Sequence, residues 1–174
     1  LNTYSLPEEI TNFTTHGLGF IMSLAVCVFF IVKGLVADSW IVLFSLILYL
    51  IGVCSSYAAS TVYHAIPGSR ERAKAIARKF DHAAIYWHIA GSYSPITLVA
   101  LREQGYWGWT LFSFVWLCAI IGTVMSFRKL KQHSYLETIC YVLMGLVVLV
   151  AFKPLMDAVS PHAVGWIIGE GACY

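Results

Sequence analysis

The sequence predicts an all-α protein, a polytopic bundle of transmembrane helices. Three observations predict it. The 174 residues are 59% hydrophobic and only 11% charged, whereas a soluble domain carries roughly 25% charged residues. The apolar residues gather into six segments, most of them near the length of about 20 residues that a membrane-crossing helix needs. The basic residues fall mainly in alternate loops. Inside a bilayer every backbone polar group needs an internal partner, so such segments are helices and not isolated strands. The length fits a single integral membrane domain over residues 1–174.

The segments are justified in order. The first covers residues 15–32. It is too long for the apolar core of a signal peptide and lacks an A-x-A-like cleavage site, so it is expected to remain as a span. The second covers 40–63, the third 83–101, the fourth 107–127 and the fifth 136–152. A sixth starts near 158 and is still apolar at 174, so it reads as incomplete. Turn-forming residues separate them: Lys33-Gly34 through Asp38-Ser39, Pro67-Gly68-Ser69, Glu103-Gln104-Gly105, residues 128–134 and Lys153-Pro154. Pro95 removes a hydrogen bond to the Gly91 carbonyl and predicts a kink in the third helix, with Ser92 and Ser94 as substitute partners. Such a break either lines a cavity or is a plain packing kink.

Charge orients the bundle. Arg70, Arg72, Lys74, Arg78 and Lys79 lie between helices two and three, and Arg128, Lys129 and Lys131 between four and five. Lys33, Arg102 and Lys153 fall singly in the other loops. The positive-inside rule then makes the N-terminus cytoplasmic in a multi-pass protein of the cell membrane. Tyr106, Trp107 and Trp109 mark the outer interface. Residues 70–79 are amphipathic and fit a short helix lying on anionic lipid. A net charge of +2 and the absence of a basic–aromatic module argue against nucleic acid as a partner; membrane lipids are the expected one. Cys27, Cys54, Cys118, Cys140 and Cys173 all lie in apolar stretches without a C-x-x-C pair, which predicts packing residues and no disulfide framework.

Polar side chains at membrane depth are costly and mark sites. Ser60 and His64, four apart, share a face near the cytoplasmic end of helix two. Asp81 opens helix three at the same end. Imidazole and carboxylate are zinc donors, and a neighbouring hydroxyl can bond water on the metal. The structural alternatives are an N-cap for Asp81, a carbonyl-bonded interfacial His64 and a packing Ser60. His82 and His88, six apart, do not share a face. His133 and His162 read as solvated loop residues, and His16, four after Asn12, as a capping or packing residue at the start of helix one.

These residues occur in a familiar order: Glu8-Glu9-Ile10-Thr11-Asn12-Phe13-Thr14-Thr15-His16-Gly17, Ser60-Thr61-Val62-Tyr63-His64, Phe80-Asp81-His82-Ala83-Ala84-Ile85-Tyr86, Ile89-Ala90-Gly91-Ser92-Tyr93-Ser94-Pro95, and Y-V-L-M-G at 141–145. The ordered set resembles the bacterial hemolysin III family, a branch of the progestin and adipoQ receptor superfamily. The resemblance implies a seven-helix bundle with a cytoplasmic N-terminus. It also implies a zinc ion (Zn2+) near the cytoplasmic face, held by His64 and by two histidines of an H-x-x-x-H motif in helix seven. Asp81 acts there through water, with Ser60 taking part. The chain contains no H-x-x-x-H, so it is expected to be six helices of seven, truncated at its C-terminal end. Glu170 stands where small residues are expected. For the intact protein, the implied activity is zinc-dependent hydrolysis of a lipid amide or ester, with Ser60 and Asp81 catalytic. The alternative is a non-enzymatic cytolytic pore former or a receptor-like membrane protein.

Overall fold

The computed structural model describes residues 4–128 and 135–172. The expectations resting on Lys129, Lys131, His133 and Cys173 lie outside them. The described residues fold as α1 (Leu6–Val36), α2 (Trp40–Ala65), α3 (Glu71–Pro95), α4 (Trp107–Phe127), α5 (Tyr135–Leu146), α6 (Phe152–Ala158) and α7 (Pro161–Ala172). A π-helical turn (Ile96–Ala100) extends α3, and a 3₁₀ turn (Val147–Ala151) joins α5 to α6. The arrangement is all-helical, as the sequence predicts, but several boundaries differ.

Helix α1 starts well before residue 15. Ser5 opens it with a capping box in which its backbone N–H donates to Glu8 at 2.7 Å. Thr14 and Thr15 return their hydroxyls to the carbonyls of Ile10 and Thr11. The apolar pattern marks where the membrane begins, whereas the capping box marks where the helix begins. At about 1.5 Å per residue, the 31 residues of α1 outreach a hydrocarbon core of about 30 Å.

Helix α3 differs most. Residues 71–79 do not form a separate surface helix; they are its first turns. Asp81 and His16 therefore sit inside helices α3 and α1, which removes the capping readings for both. Among the described residues, four helical rods are long and apolar enough to cross a membrane: Leu6–Val36, Trp40–Ala65, Trp107–Phe127 and Tyr135–Ala158. Helix α3 is not among them because it is the polar, central one. It packs against α2, α4 and α5, and buries Lys74, Ala77, Ala83, Ala84, Tyr86, Ala90, Gly91, Tyr93 and Ser94.

Close packing uses small residues. A Cβ on Gly52 would lie 2.5 Å from the Trp87 carbonyl oxygen, and one on Gly91 would lie 2.9 Å from that of Leu48. The backbones of α2 and α3 touch there, in the manner of small-residue seams between membrane helices. Gly122 of α4 leaves the same kind of room for the ring of Tyr86.

The helix breaks have identifiable partners. After Pro95 the helix widens into the π turn, where Leu101 N–H donates to the Ile96 carbonyl at 2.9 Å. Ser94 bonds the Ala90 carbonyl, not that of Gly91, and receives Trp116 Nε1–H at 3.1 Å. Thr97 and Leu98 are buried, and this break is packed against α4. The Tyr93 hydroxyl donates to the Gly145 carbonyl at 2.7 Å and accepts the Val148 N–H at 2.9 Å. One phenol thus satisfies the backbone where α5 gives way to the 3₁₀ turn. Lys153-Pro154 is not a turn. Pro154 lies in the first turn of α6, where its missing N–H is harmless.

The exterior is apolar, and the interior mixes apolar side chains with buried polar ones such as Ser60, Lys74, Ser94 and Glu137. Leu18, Ile21, Val28, Leu117, Ile121, Leu143 and Val150 are all exposed, and a soluble protein does not show such a surface. Cys27 and Cys54 are half-buried, free thiols with sulfurs 3.4 Å apart across α1 and α2. Glu170 is exposed on α7.

Candidate functional site

The start of α1, the end of α2 and the start of α3 meet at one end of the bundle. Lys79 marks the same end for α4, donating to the carbonyl of its last residue, Phe127, at 3.3 Å. Ser60 is buried on α2, 2.6 Å from His16 Nδ1 of α1. Asp81 of α3 lies beside the same serine, within electrostatic reach of His16, His64 and His82. The ring of His64 lies edge-on to that of His16, with centroids 5.8 Å apart. The three predicted site residues therefore do converge, and His16 joins them.

Two further residues were not predicted. Glu9 accepts His64 Nδ1 at 2.7 Å through one carboxylate oxygen and the Lys74 ammonium through the other. Lys74 also donates to the Ile66 carbonyl at 3.0 Å. The Lys74 side chain is 3% exposed, so this lysine is an internal counter-charge and not a loop cation. A cavity of about 490 Å³ opens above the group, lined by Tyr4, Glu9, Phe13, His64, Ile66 and Lys74 among others. A sequence signal existed: Glu9, Asn12 and His16 follow i, i+3, i+7 spacing and so share one face of the start of α1.

The remaining histidines separate as their spacing predicts. His82 turns to α5, where its Nδ1 is 2.7 Å from Glu137, which also accepts Ser126 Oγ–H at 3.0 Å. His88 packs beside the Tyr57 ring. His162 is not in a loop; it lies in the first turn of α7, accepting Trp166 Nε1–H at 3.0 Å.

His64 and Asp81 supply donor types that suit part of a zinc shell. Structural and catalytic zinc sites use at least three protein ligands. Among the described residues, no group of three or more His, Cys, Asp or Glu side chains is placed to hold an ion. The donors present fit one side of a centre and do not close it.

Long apolar helices around a polar central helix, with a buried polar cluster at one end, define a multi-pass membrane protein. Residues 4–174 match the family model for haemolysin-III related proteins, and the chain belongs to that family. It is 31% identical over 172 residues to Hemolysin-3 of Bacillus cereus, covering 99% of this chain and 77% of that protein. It is 34% identical over 171 residues to the Hemolysin-3 homolog of Bacillus subtilis (strain 168), covering 98% and 78%. Over 101 residues it is 31% identical to the Monocyte to macrophage differentiation factor of Homo sapiens, covering 56% of this chain and 42% of that one. No solved structure matches the chain.

Proposed function

We propose that this protein is a zinc-dependent hydrolase acting on the amide or ester of a membrane lipid, with its N-terminus and its site on the cytoplasmic side. The observation that carries the reading is the convergence of Ser60, His64, Asp81 and His16 from three helices at one depth. A lipid carbonyl in the interfacial region reaches that depth. Charge asymmetry supports the orientation, because the end bearing the site also bears Arg70, Arg72 and Arg78.

The chain's residues divide the work by their chemistry. His64 offers the imidazole that a metal takes. Zinc, when bound, supplies Lewis acidity that brings water into ionising range near about pH 7. The Asp81 carboxylate receives a proton from water at its side. Ser60, hydrogen-bonded to His16 and beside Asp81, keeps that water or the lipid carbonyl in register.

The relatives named Hemolysin-3 motivate a second reading, a cytolytic pore former. A pore needs a polar path along the bundle. Helices α1, α2 and α4 present apolar faces, while the cluster of Ser60, His64 and Asp81 is local.

Both readings are tested in one vesicle. The full-length protein is reconstituted with a ceramide-like lipid amide in the membrane and a dye inside. The hydrolase reading expects slow release of fatty acid, stopped by a chelator and by Asp81→Asn, without dye leakage. Leakage that survives both treatments, with no zinc-dependent product, contradicts it and supports the pore.

A further inference from the structure

Glu9 sits in the first turn of α1, remote in sequence from everything it touches. Its side chain is 14% exposed, that of His64 6% and that of Lys74 3%. An ionised carboxylate only accepts hydrogen bonds, and an ammonium only donates them. With one Glu9 oxygen taken by Lys74, the other can only accept a hydrogen bond, which requires the His64 proton to sit on Nδ1. A neutral imidazole has one N–H, so that bond places the lone pair on Nε2. The free lone pair is the atom by which a neutral imidazole ligates a metal or takes a proton, and a carboxylate behind it fixes both tautomer and ring orientation. Lys74 cannot swing away, because it is also tied to the Ile66 carbonyl just beyond the end of α2.

We propose that Glu9 is the positioning residue of this site: anchored by Lys74, it holds His64 with its proton on Nδ1 and its Nε2 free. This rests on His64 being the working imidazole of the function proposed above. The assignment accounts for a buried lysine whose only described polar partners are Glu9 and one backbone carbonyl. It also gives the α1 start a task that helix capping does not explain.

The test reads the tautomer directly. Protein carrying ¹⁵N-histidine is held metal-free in lipid bilayers, about two pH units above the ordinary imidazole value of about 6.5. Ring-nitrogen shifts are recorded by solid-state NMR, and the His64 signals are identified by their loss in His64→Asn. The wild type is expected to show Nδ1–H and a bare Nε2. In Glu9→Gln, Lys74 captures the amide oxygen and leaves the amide NH₂ facing His64. The imidazole must then accept, and the proton moves to Nε2. In the double variant Glu9→Gln with Lys74→Met, the glutamine is free to turn its oxygen to His64, and the Nδ1–H form returns. A packing role for Glu9 predicts none of this alternation. A wild type protonated on Nε2, or a Glu9→Gln protein that keeps Nδ1–H, overturns the assignment. The alternation in a protein that hydrolyses no lipid sustains the assignment and removes the hydrolase reading alone.

Discussion

The Glu9–Lys74 pair is the residue-scale feature with the largest energetic consequence. A buried ion pair contributes little net stability, yet removing one partner strands the other charge, at a cost of about 3–5 kcal/mol. Lys74→Ala is therefore expected to destabilise the protein by about that amount in denaturant titration of detergent-solubilised protein. Pairing Lys74→Met with Glu9→Gln is expected to recover most of the loss. A Lys74→Ala protein of wild-type stability would show that the lysine is solvated. The sequence makes Ser60, His64 and Asp81 legible because a polar group inside an apolar run is conspicuous. Glu9 and Lys74 were hidden by their neighbours. Lys74 stands among four other basic residues in 70–79 and reads as one more interfacial charge. Glu9 precedes the apolar segment and reads as lying outside the helix. Their pairing across 65 positions follows only from the starts of α1 and α3, two parallel helices, meeting at the end of α2.

At the scale of elements, the bundle depends on backbones that touch and on breaks that are satisfied. Gly52→Ala places a methyl group against the Trp87 carbonyl, which cannot yield without parting α2 from α3. Overpacking of this kind costs about 1–3 kcal/mol. Gly145→Ala meets nothing within 4 Å and is expected to leave the melting temperature unchanged. Equal effects at the two positions would refute the close approach of α2 and α3. Tyr93→Phe leaves the Val148 N–H and the Gly145 carbonyl without their partner. Unsatisfied buried groups cost about 1–3 kcal/mol each, and faster hydrogen exchange at Val148 is the matching readout. Helix existence was legible from apolar runs, but helix ends were not. A capping box, a π turn after Pro95 and a proline in the first turn of α6 each displaced a boundary that hydropathy alone had set. Asp81 moved with them, from the start of a helix to its interior.

For the whole molecule, the surface is apolar where that of a soluble protein is polar, and the core mixes apolar with polar side chains. Helix α3 carries the polar groups and is enclosed, while α1, α2 and α4 turn leucine, isoleucine and phenylalanine outward. The mean hydropathy that identifies a lipid-facing helix therefore passes over α3, one of the three helices that build the site. Glu9, His64, Lys74 and Asp81 bring ionisable chemistry together at one end of the bundle. The functional account needs that end to face the cytoplasm, which the sequence expresses only as a bias of basic residues between loops. Single cysteines in a protein cleared of its native thiols test this directly. One replaces Ser69, exposed beyond α2, and one replaces Glu103, whose side chain is 88% exposed at the opposite end. A membrane-impermeant maleimide should label Ser69→Cys only from the cytoplasmic side and Glu103→Cys only from the outer side. Labelling of Ser69→Cys from the outside would place the site on the wrong face of the membrane and contradict the account.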